Sequence, residues 1–295
     1  MVDIPFDTAA GLRARLSEQG YFCDEDLAYA TWLGLKLERP LLLEGDAGVG
    51  KTALASSLAQ AMDVPLIRLQ CFEGLDHADA AYEWNYGRQL TAIRLSEARH
   101  ESVVEGNIYT REFLLEKPLL KAISSERGCV LLIDEIDRAD EAFEAFLLEV
   151  LSEFQLSVPE LGTLAARIKP TVILTCNGTR ELSDALRRRC LFHIVEYPDF
   201  MREVEIIRRH VPEADVQLVT EAVQFVQALR QEELEKRPGV AESLDWVKAL
   251  YFSNAKTLPD DPALLRHSLS CLLKTRQDHF YVSDELVRQL AVRQG

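Results

Sequence analysis

Cations are scarce in this 295-residue chain: 33 Lys and Arg face 48 Asp and Glu, a formal charge of −15. A surface so acidic argues against broad, sequence-independent binding to nucleic acid or anionic lipid, because phosphate groups are gripped by cations. It leaves room for a small basic patch. No run approaches the roughly 18 consecutive apolar residues of a membrane-spanning helix. The N-terminal Met-Val-Asp-Ile-Pro-Phe-Asp lacks a basic region and an apolar region, so no secretory signal is expected. Six cysteines (Cys23, Cys71, Cys129, Cys176, Cys190 and Cys271) form no C-x-x-C pair and no metal-ligand spacing. Cys129 and Cys176 adjoin apolar runs, where a cysteine serves as a small buried hydrophobe. A reduced, cytoplasmic protein is the expectation. Internal repeats and low-complexity tracts are absent too, and 47% apolar with 27% charged residues is ordinary globular usage.

Short continuous apolar runs are what the chain does have. Leu41–Leu43, Leu66–Leu69, Val130–Ile133, Thr171–Thr175 and Leu191–Val195 read as five strands. Continuous rather than alternating apolar strands fit a parallel sheet covered on both faces. Helical spacing is expected at 8–20, 24–38, 51–62 and 139–154; in the last, Phe143, Phe146, Leu147, Val150, Leu151 and Phe154 make one apolar stripe. Beyond Pro198 strand signals stop. Segments 201–210, 213–235, 240–253, 262–276 and 283–293 all look helical. The expectation is an α/β nucleotide-binding domain over 1–197 and a small all-helical lid over 198–295.

Gly45-Asp46-Ala47-Gly48-Val49-Gly50-Lys51-Thr52 matches G-x-x-x-x-G-K-[ST], and it lies between an expected strand and an expected helix. Glycines let the backbone curl so that N–H groups point at a phosphate, and the helix N-terminus adds positive potential. Lys51 would reach the β- and γ-phosphates of ATP, and the Thr52 hydroxyl would ligate Mg²⁺. Asp134, ending the apolar strand Val130–Ile133, would supply the second metal contact. Glu135 could polarise the attacking water; the bland alternative is that both acids cap the next helix with Asp137 and Asp140. Asn177 ends the following strand, where its amide could orient the water, or simply form an Asn-Gly turn with Gly178. Arg187, Arg188 and Arg189 cluster before the last strand. A guanidinium there could stabilise a transferring phosphoryl group, most often from a neighbouring subunit, or could decorate a helix C-terminus. Arg188 and Arg189 are the expected fingers, without a choice among the three being fixed. Tyr82, Trp84 and Tyr86 read as packing or interface residues, and Glu232–Arg237 as a solvated helix face.

In this order and spacing, the phosphate loop, the Leu132-Ile133-Asp134-Glu135-Ile136-Asp137 motif, Asn177 and the Arg187–Phe192 stretch resemble an AAA+ ATPase. The Gln70–Asp76, Tyr82–Tyr86, Glu112–Leu119, Val158–Thr163 and Val240–Trp246 segments resemble the MoxR branch, and closest within it the CoxD-type ATPases. The resemblance implies an insertion in helix 2 at about 72–112, a hairpin before sensor 1 at about 155–169, and a hexameric ring. It also implies a partner with a von Willebrand factor A domain and a client metalloenzyme, here the molybdenum–copper centre of aerobic carbon monoxide dehydrogenase. A Rubisco-activase-like remodeller is the alternative, and a nucleic-acid motor is disfavoured by charge. One departure stands out: Pro238–Ser243 has no arginine where many relatives place sensor 2, so either Lys236 or Arg237 substitutes or the lid senses nucleotide differently.

Overall fold

The computed structural model describes residues 5–98, 108–259 and 262–292. Nine strands occur among them: β1 (Leu41–Glu44), β2 (Leu66–Gln70), β3 (Tyr82–Trp84), β4 (Leu114–Glu116), β5 (Val130–Asp134), β6 (Gln155–Val158), β7 (Gly162–Ala165), β8 (Thr171–Cys176) and β9 (Leu191–Ile194). The helices are α1 (Ala9–Glu18), α2 (Glu25–Leu37), α3 (Lys51–Ala61), α4 (His77–Ala80), α5 (Tyr86–Ala98), α6 (Pro118–Ile123), α7 (Glu141–Glu153) and α8 (Asp184–Arg189), followed by α9 (Phe200–His210), α10 (Val216–Arg230), α11 (Val240–Phe252), α12 (Pro262–Ser268), α13 (Arg276–Tyr281) and α14 (Asp284–Val292). They group into two compact units. One holds the chain up to Arg15, Asp24–Glu44 and Thr52–Ile194; the other holds Leu16–Cys23, Gly45–Lys51 and the chain from Val195 onward.

In the first unit a five-stranded sheet runs β2-β5-β8-β1-β9, with every neighbouring pair parallel. The expected parallel sheet is therefore present, built from the five runs read in the sequence. All of β5 is buried, as are Leu41, Leu42 and Leu43 of β1, because strands inside a doubly covered sheet meet apolar side chains on both faces. The edge strands β2 and β9 are wetter: Leu66, Phe192 and Ile194 are exposed. Helix α7 buries Phe143, Leu147, Val150 and Leu151, the stripe its spacing foretold. It starts at Asp140, whose carboxylate accepts the Phe143 amide at 2.8 Å.

Between β2 and β5 lie α4, the antiparallel pair β3–β4 and α5; residues 99–107 of the expected helix-2 insertion lie outside the described residues. Trp84 is buried there with Phe113, Leu114, Leu156 and Val158, whereas Tyr86 stays exposed. Strands β6 and β7 form an antiparallel hairpin, Gln155 facing Ala165.

The second unit is helical after Val195. Its core gathers Leu218, Val223, Phe225, Val226, Trp246, Val247 and Leu250 around a Phe225–Trp246 ring pair 5.1 Å apart. Two expectations fail here. The helix read as 213–235 stops at Arg230, so Glu232–Arg237 is a solvated connector rather than a helix face. The buried Asp278 carboxylate draws the Glu235 and Lys236 amides out of helical pairing, at 2.7 and 3.2 Å, and Pro238 follows. The helix read as 262–276 ends at Ser268, and a separate α13 starts where the Thr275 hydroxyl accepts the Asp278 amide at 3.1 Å.

Candidate functional site

Strand β5 delivers Asp134 to its C-terminal tip, 3% exposed. Asp134 Oδ1 accepts the Thr52 hydroxyl at 3.0 Å and the Thr175 hydroxyl at 2.5 Å, while Oδ2 accepts Arg68 at 2.5 Å. Parallel register places Gln70 beside Asp134. That register lets the Gln70 amide donate to Glu135 Oε2 at 3.0 Å while its own oxygen accepts Arg68 at 2.6 Å. Arg138 holds the same Glu135 oxygen at 3.1 Å.

Glu135 sits in the left-handed backbone region, φ 55°, ψ 52°, and its side chain caps nothing. A non-glycine residue there stores roughly 1–3 kcal/mol of strain, tolerated where the surroundings dictate it. Thr175 dictates it: its hydroxyl oxygen accepts the Glu135 amide at 2.9 Å while its proton goes to Asp134. Thus the two acids are held by different partners, Asp134 by Thr52, Thr175 and Arg68, Glu135 by Gln70 and Arg138.

The Asn177 main-chain N–H donates to Asp137 Oδ2 at 3.2 Å, and so do the Thr179 main-chain N–H at 2.9 Å and hydroxyl at 2.6 Å. Burial works against ionising Asp137, but the Thr179 and Asn177 hydrogen bonds outweigh it and hold the carboxyl below its usual range. Arg187 is engaged within its own chain: it pairs with Glu44 at 3.0 Å and lies over the Phe192 ring at 5.5 Å. Arg188 and Arg189 are exposed and form no ion pair with the described residues. Their carbonyls are pinned by Arg39, at 2.7 and 3.2 Å. Thr52, Thr175 and Arg68 thus converge on Asp134, Gln70 and Arg138 hold Glu135, Asn177 is held through Asp137, and neither Arg188 nor Arg189 pairs with either acid among the described residues.

In the second unit, Gly45–Lys51 is built around backbone contacts that no side chain would fit. A Cβ on Gly45 would lie 2.2 Å from Val195 O, and one on Gly48 (φ +82°) would lie 2.9 Å from Gly239 Cα. The Gly48 carbonyl accepts the Val240 amide at 2.9 Å. Lys51 is 6% exposed and donates to the Gly45 and Asp46 carbonyls at 2.6 and 2.8 Å. Tyr197 donates to Asp46; burial first, and the Asp46 charge second, push its phenol up to about 12. Lys236 and Arg237 are exposed on the connector, whereas Arg230, like Lys51, is a buried cation of this unit.

The residue types fit a nucleotide with its divalent ion. Thr52 and Asp134 present hard oxygens within 3.0 Å of each other, the donor chemistry of Mg²⁺. Gly45, Gly48 and Lys51 make a cation-tipped backbone curl of the kind that takes phosphate.

A family profile described as AAA domain (dynein-related subfamily) matches residues 40–190. The chain belongs to the AAA ATPases. It is similar to gas vesicle ATPase GvpN of Haloferax mediterranei, 29% identical over 208 residues, 67% of this chain and 58% of that protein. Gas vesicle ATPase GvpN2 of Halobacterium salinarum is 30% identical over 241 residues, 77% of this chain and 65% of that protein. This AAA chain thus spans about three fifths of the gas vesicle proteins it matches. Among solved structures, a mutant of Thermotoga maritima RuvB aligns over 91% of this chain and 75% of its own, with TM-score 0.52 and 18% identity, a likeness of fold.

Motif reading missed Arg68, Gln70, Asp137 and Thr175 as site residues of this AAA unit. Their roles follow from strand register and turn geometry, and only the position of Thr175 two residues before Asn177 hinted at one. Arg68 yields a prediction. Among the described residues it is the one cation paired with Asp134, yet its side chain is 53% exposed, so the pair is worth at most about 1 kcal/mol. Arg68→Ala should lower the Mg²⁺ concentration that half-saturates nucleotide binding about two- to fivefold, read with a fluorescent ATP analogue. An unchanged or raised requirement would show that Arg68 does not compete for the carboxylate.

Proposed function

We propose that the chain hydrolyses ATP and uses the cycle to remodel a protein client within a ring of identical subunits. The supporting observation is the shared hydrogen bonding at the tip of β5, where Thr52, Asp134 and Thr175 meet and Glu135 is held separately. Residues 1–197 form the nucleotide-binding domain, with an insertion at about 72–112 and a hairpin at about 155–169, and 198–295 form the lid. Gly45, Asp46, Ala47, Gly48, Val49 and Gly50 wrap the phosphates, and Lys51 reaches the β- and γ-phosphates. Thr52 and Asp134 hold Mg²⁺, which would neutralise charge on the transferring phosphoryl group. Glu135 draws a proton from the attacking water and Asn177 orients it. Arg188 and Arg189, whose guanidinium groups form no ion pair among the described residues, serve the site of a neighbour.

The client we propose is a metalloenzyme, aerobic carbon monoxide dehydrogenase at its molybdenum–copper centre, approached with a von Willebrand factor A partner. The MoxR-type wording of the motifs supports it. The gas vesicle relatives favour a second reading, an ATPase that acts on gas vesicle protein. Purified Glu135→Gln protein loaded with ATP should retain immature carbon monoxide dehydrogenase and release it on exchange into ADP. Retention of gas vesicle protein instead would replace the first client by the second, and retention of neither would sink both.

A further inference from the structure

Seven residues, 177–183, join the tip of β8 to helix α8. They carry Asn177 at one end and lead to Arg188 and Arg189 at the other. Asp137 (4% exposed) takes three donors from the head of the segment on one oxygen, Oδ2, while Oδ1 is buried without a partner among the described residues. Glu144 (1% exposed), on α7, takes the tail: Oε1 pairs with Arg180 and Oε2 accepts the Ser183 amide at 2.9 Å. Ser183 is itself the N-cap of α8, its hydroxyl accepting the Leu186 amide. Arg180 completes the clamp through the Ala139 carbonyl at 2.7 Å. Both gripping acids belong to the stretch that Glu135 opens, Asp137 two residues beyond it and Glu144 one helix start later.

We propose that Asp137 and Glu144 are positioning residues that lock the 177–183 segment to the turn carrying Glu135, so that the acid, the Asn177 amide and the arginine-bearing helix keep one register. Core packing would be served as well by apolar side chains at both positions, since a buried carboxylate is costly unless its hydrogen bonds are needed. What the carboxylates supply is a fixed distance between the chain that moves a proton and the chain that orients water. This rests on the hydrolytic reading above and adds to it which residues set the geometry.

The test is steady-state ATP turnover beside nucleotide binding in the full-length protein. Asp137→Ala should lower kcat about 10- to 100-fold, the effect of a misplacement near 1 Å, and leave nucleotide affinity within about twofold. Asp137→Asn should recover most of that loss, because its amide oxygen can stand where Oδ2 does. Combined with Asn177→Ala, Asp137→Ala should add no further loss, since both remove one function. Turnover within about twofold of wild type, losses of kcat and affinity in parallel, or losses that multiply in the double variant would each overturn the proposal. Should Asp137→Ala fail to fold, Thr179→Val and Glu144→Leu are judged by the same criteria. Wild-type protein without turnover would instead overturn the hydrolytic reading, a result the variants cannot mimic.

Discussion

Replacing Glu135 by Gln should cut ATP turnover about 10²- to 10⁴-fold, the usual contribution of a positioned general base, while ATP still binds. The argument is geometric. Glu135 contacts Gln70 and Arg138 and supports no core residue; its side chain is 33% exposed. Its unusual backbone is fixed by the Thr175 hydroxyl through the main-chain amide, a bond indifferent to the side chain. Gln keeps the shape and loses the ability to take a proton, together with a partly exposed ion pair to Arg138 worth about 0.5 kcal/mol or less. Stability should therefore stay within about 0.5 kcal/mol of wild type in a urea melt, separating chemistry from folding. The Mg²⁺ contacts we propose are Thr52 and Asp134, not Glu135, so nucleotide affinity by fluorescence titration should hold. Equal turnover in the two proteins would remove Glu135 from the chemistry, and the restraint by Gln70 would then need another meaning.

How far the sequence led depended on whether a residue's task was local. The phosphate loop is local: glycine spacing, Lys51 and Thr52 follow one another, and the strand before and helix after are read from the same short stretch. Five continuous apolar runs became five parallel strands because burial on both faces is written directly into composition. The partners of Asp134 and Glu135 are another matter. Gln70 meets Glu135 because β2 and β5 pair in one register out of several, and Thr175 meets Asp134 because β8 lies on the other side of β5. Neither fact is written in a run of residues. Capping explains much of the remainder. Asp134, Glu135, Asp137 and Asp140 were four acids with one shared bland reading, that they cap the next helix. Asp140 does cap α7, whereas Asp137 reaches across to β8's exit and Glu135 caps nothing. The helical part of the second unit misled for a related reason. Glu232–Arg237 has helix-compatible residues, but Asp278, more than forty positions later, claims its amides.

The largest stability loss should come from Arg230→Ala, about 3–5 kcal/mol, because it strands a buried carboxylate. Glu203 is fully buried and Arg230 is 5% exposed. Two parallel bonds of 2.7 Å join guanidinium to carboxylate, Ser243 donates to Glu203 at 2.8 Å, and Arg230 Nε donates to the Pro238 carbonyl at 2.7 Å. The guanidinium also lies 4.6 Å over the Tyr197 ring. Three helices, α9, α10 and α11, thus meet on one ion pair, and the turn it fixes is the one whose Gly239 packs on Gly48. Urea melts should show the loss, and amide hydrogen exchange should place it in α9–α11 rather than in the sheet strands. Pairing the change with Glu203→Leu decides the cause. A buried ion pair replaced by apolar groups is often neutral, so Arg230→Met with Glu203→Leu should recover most of the stability that Arg230→Ala loses. If the double variant is as unstable as the single one, the loss comes from the Pro238 and Tyr197 contacts. The turn before α11 would then be held by the arginine itself and not by its charge partner.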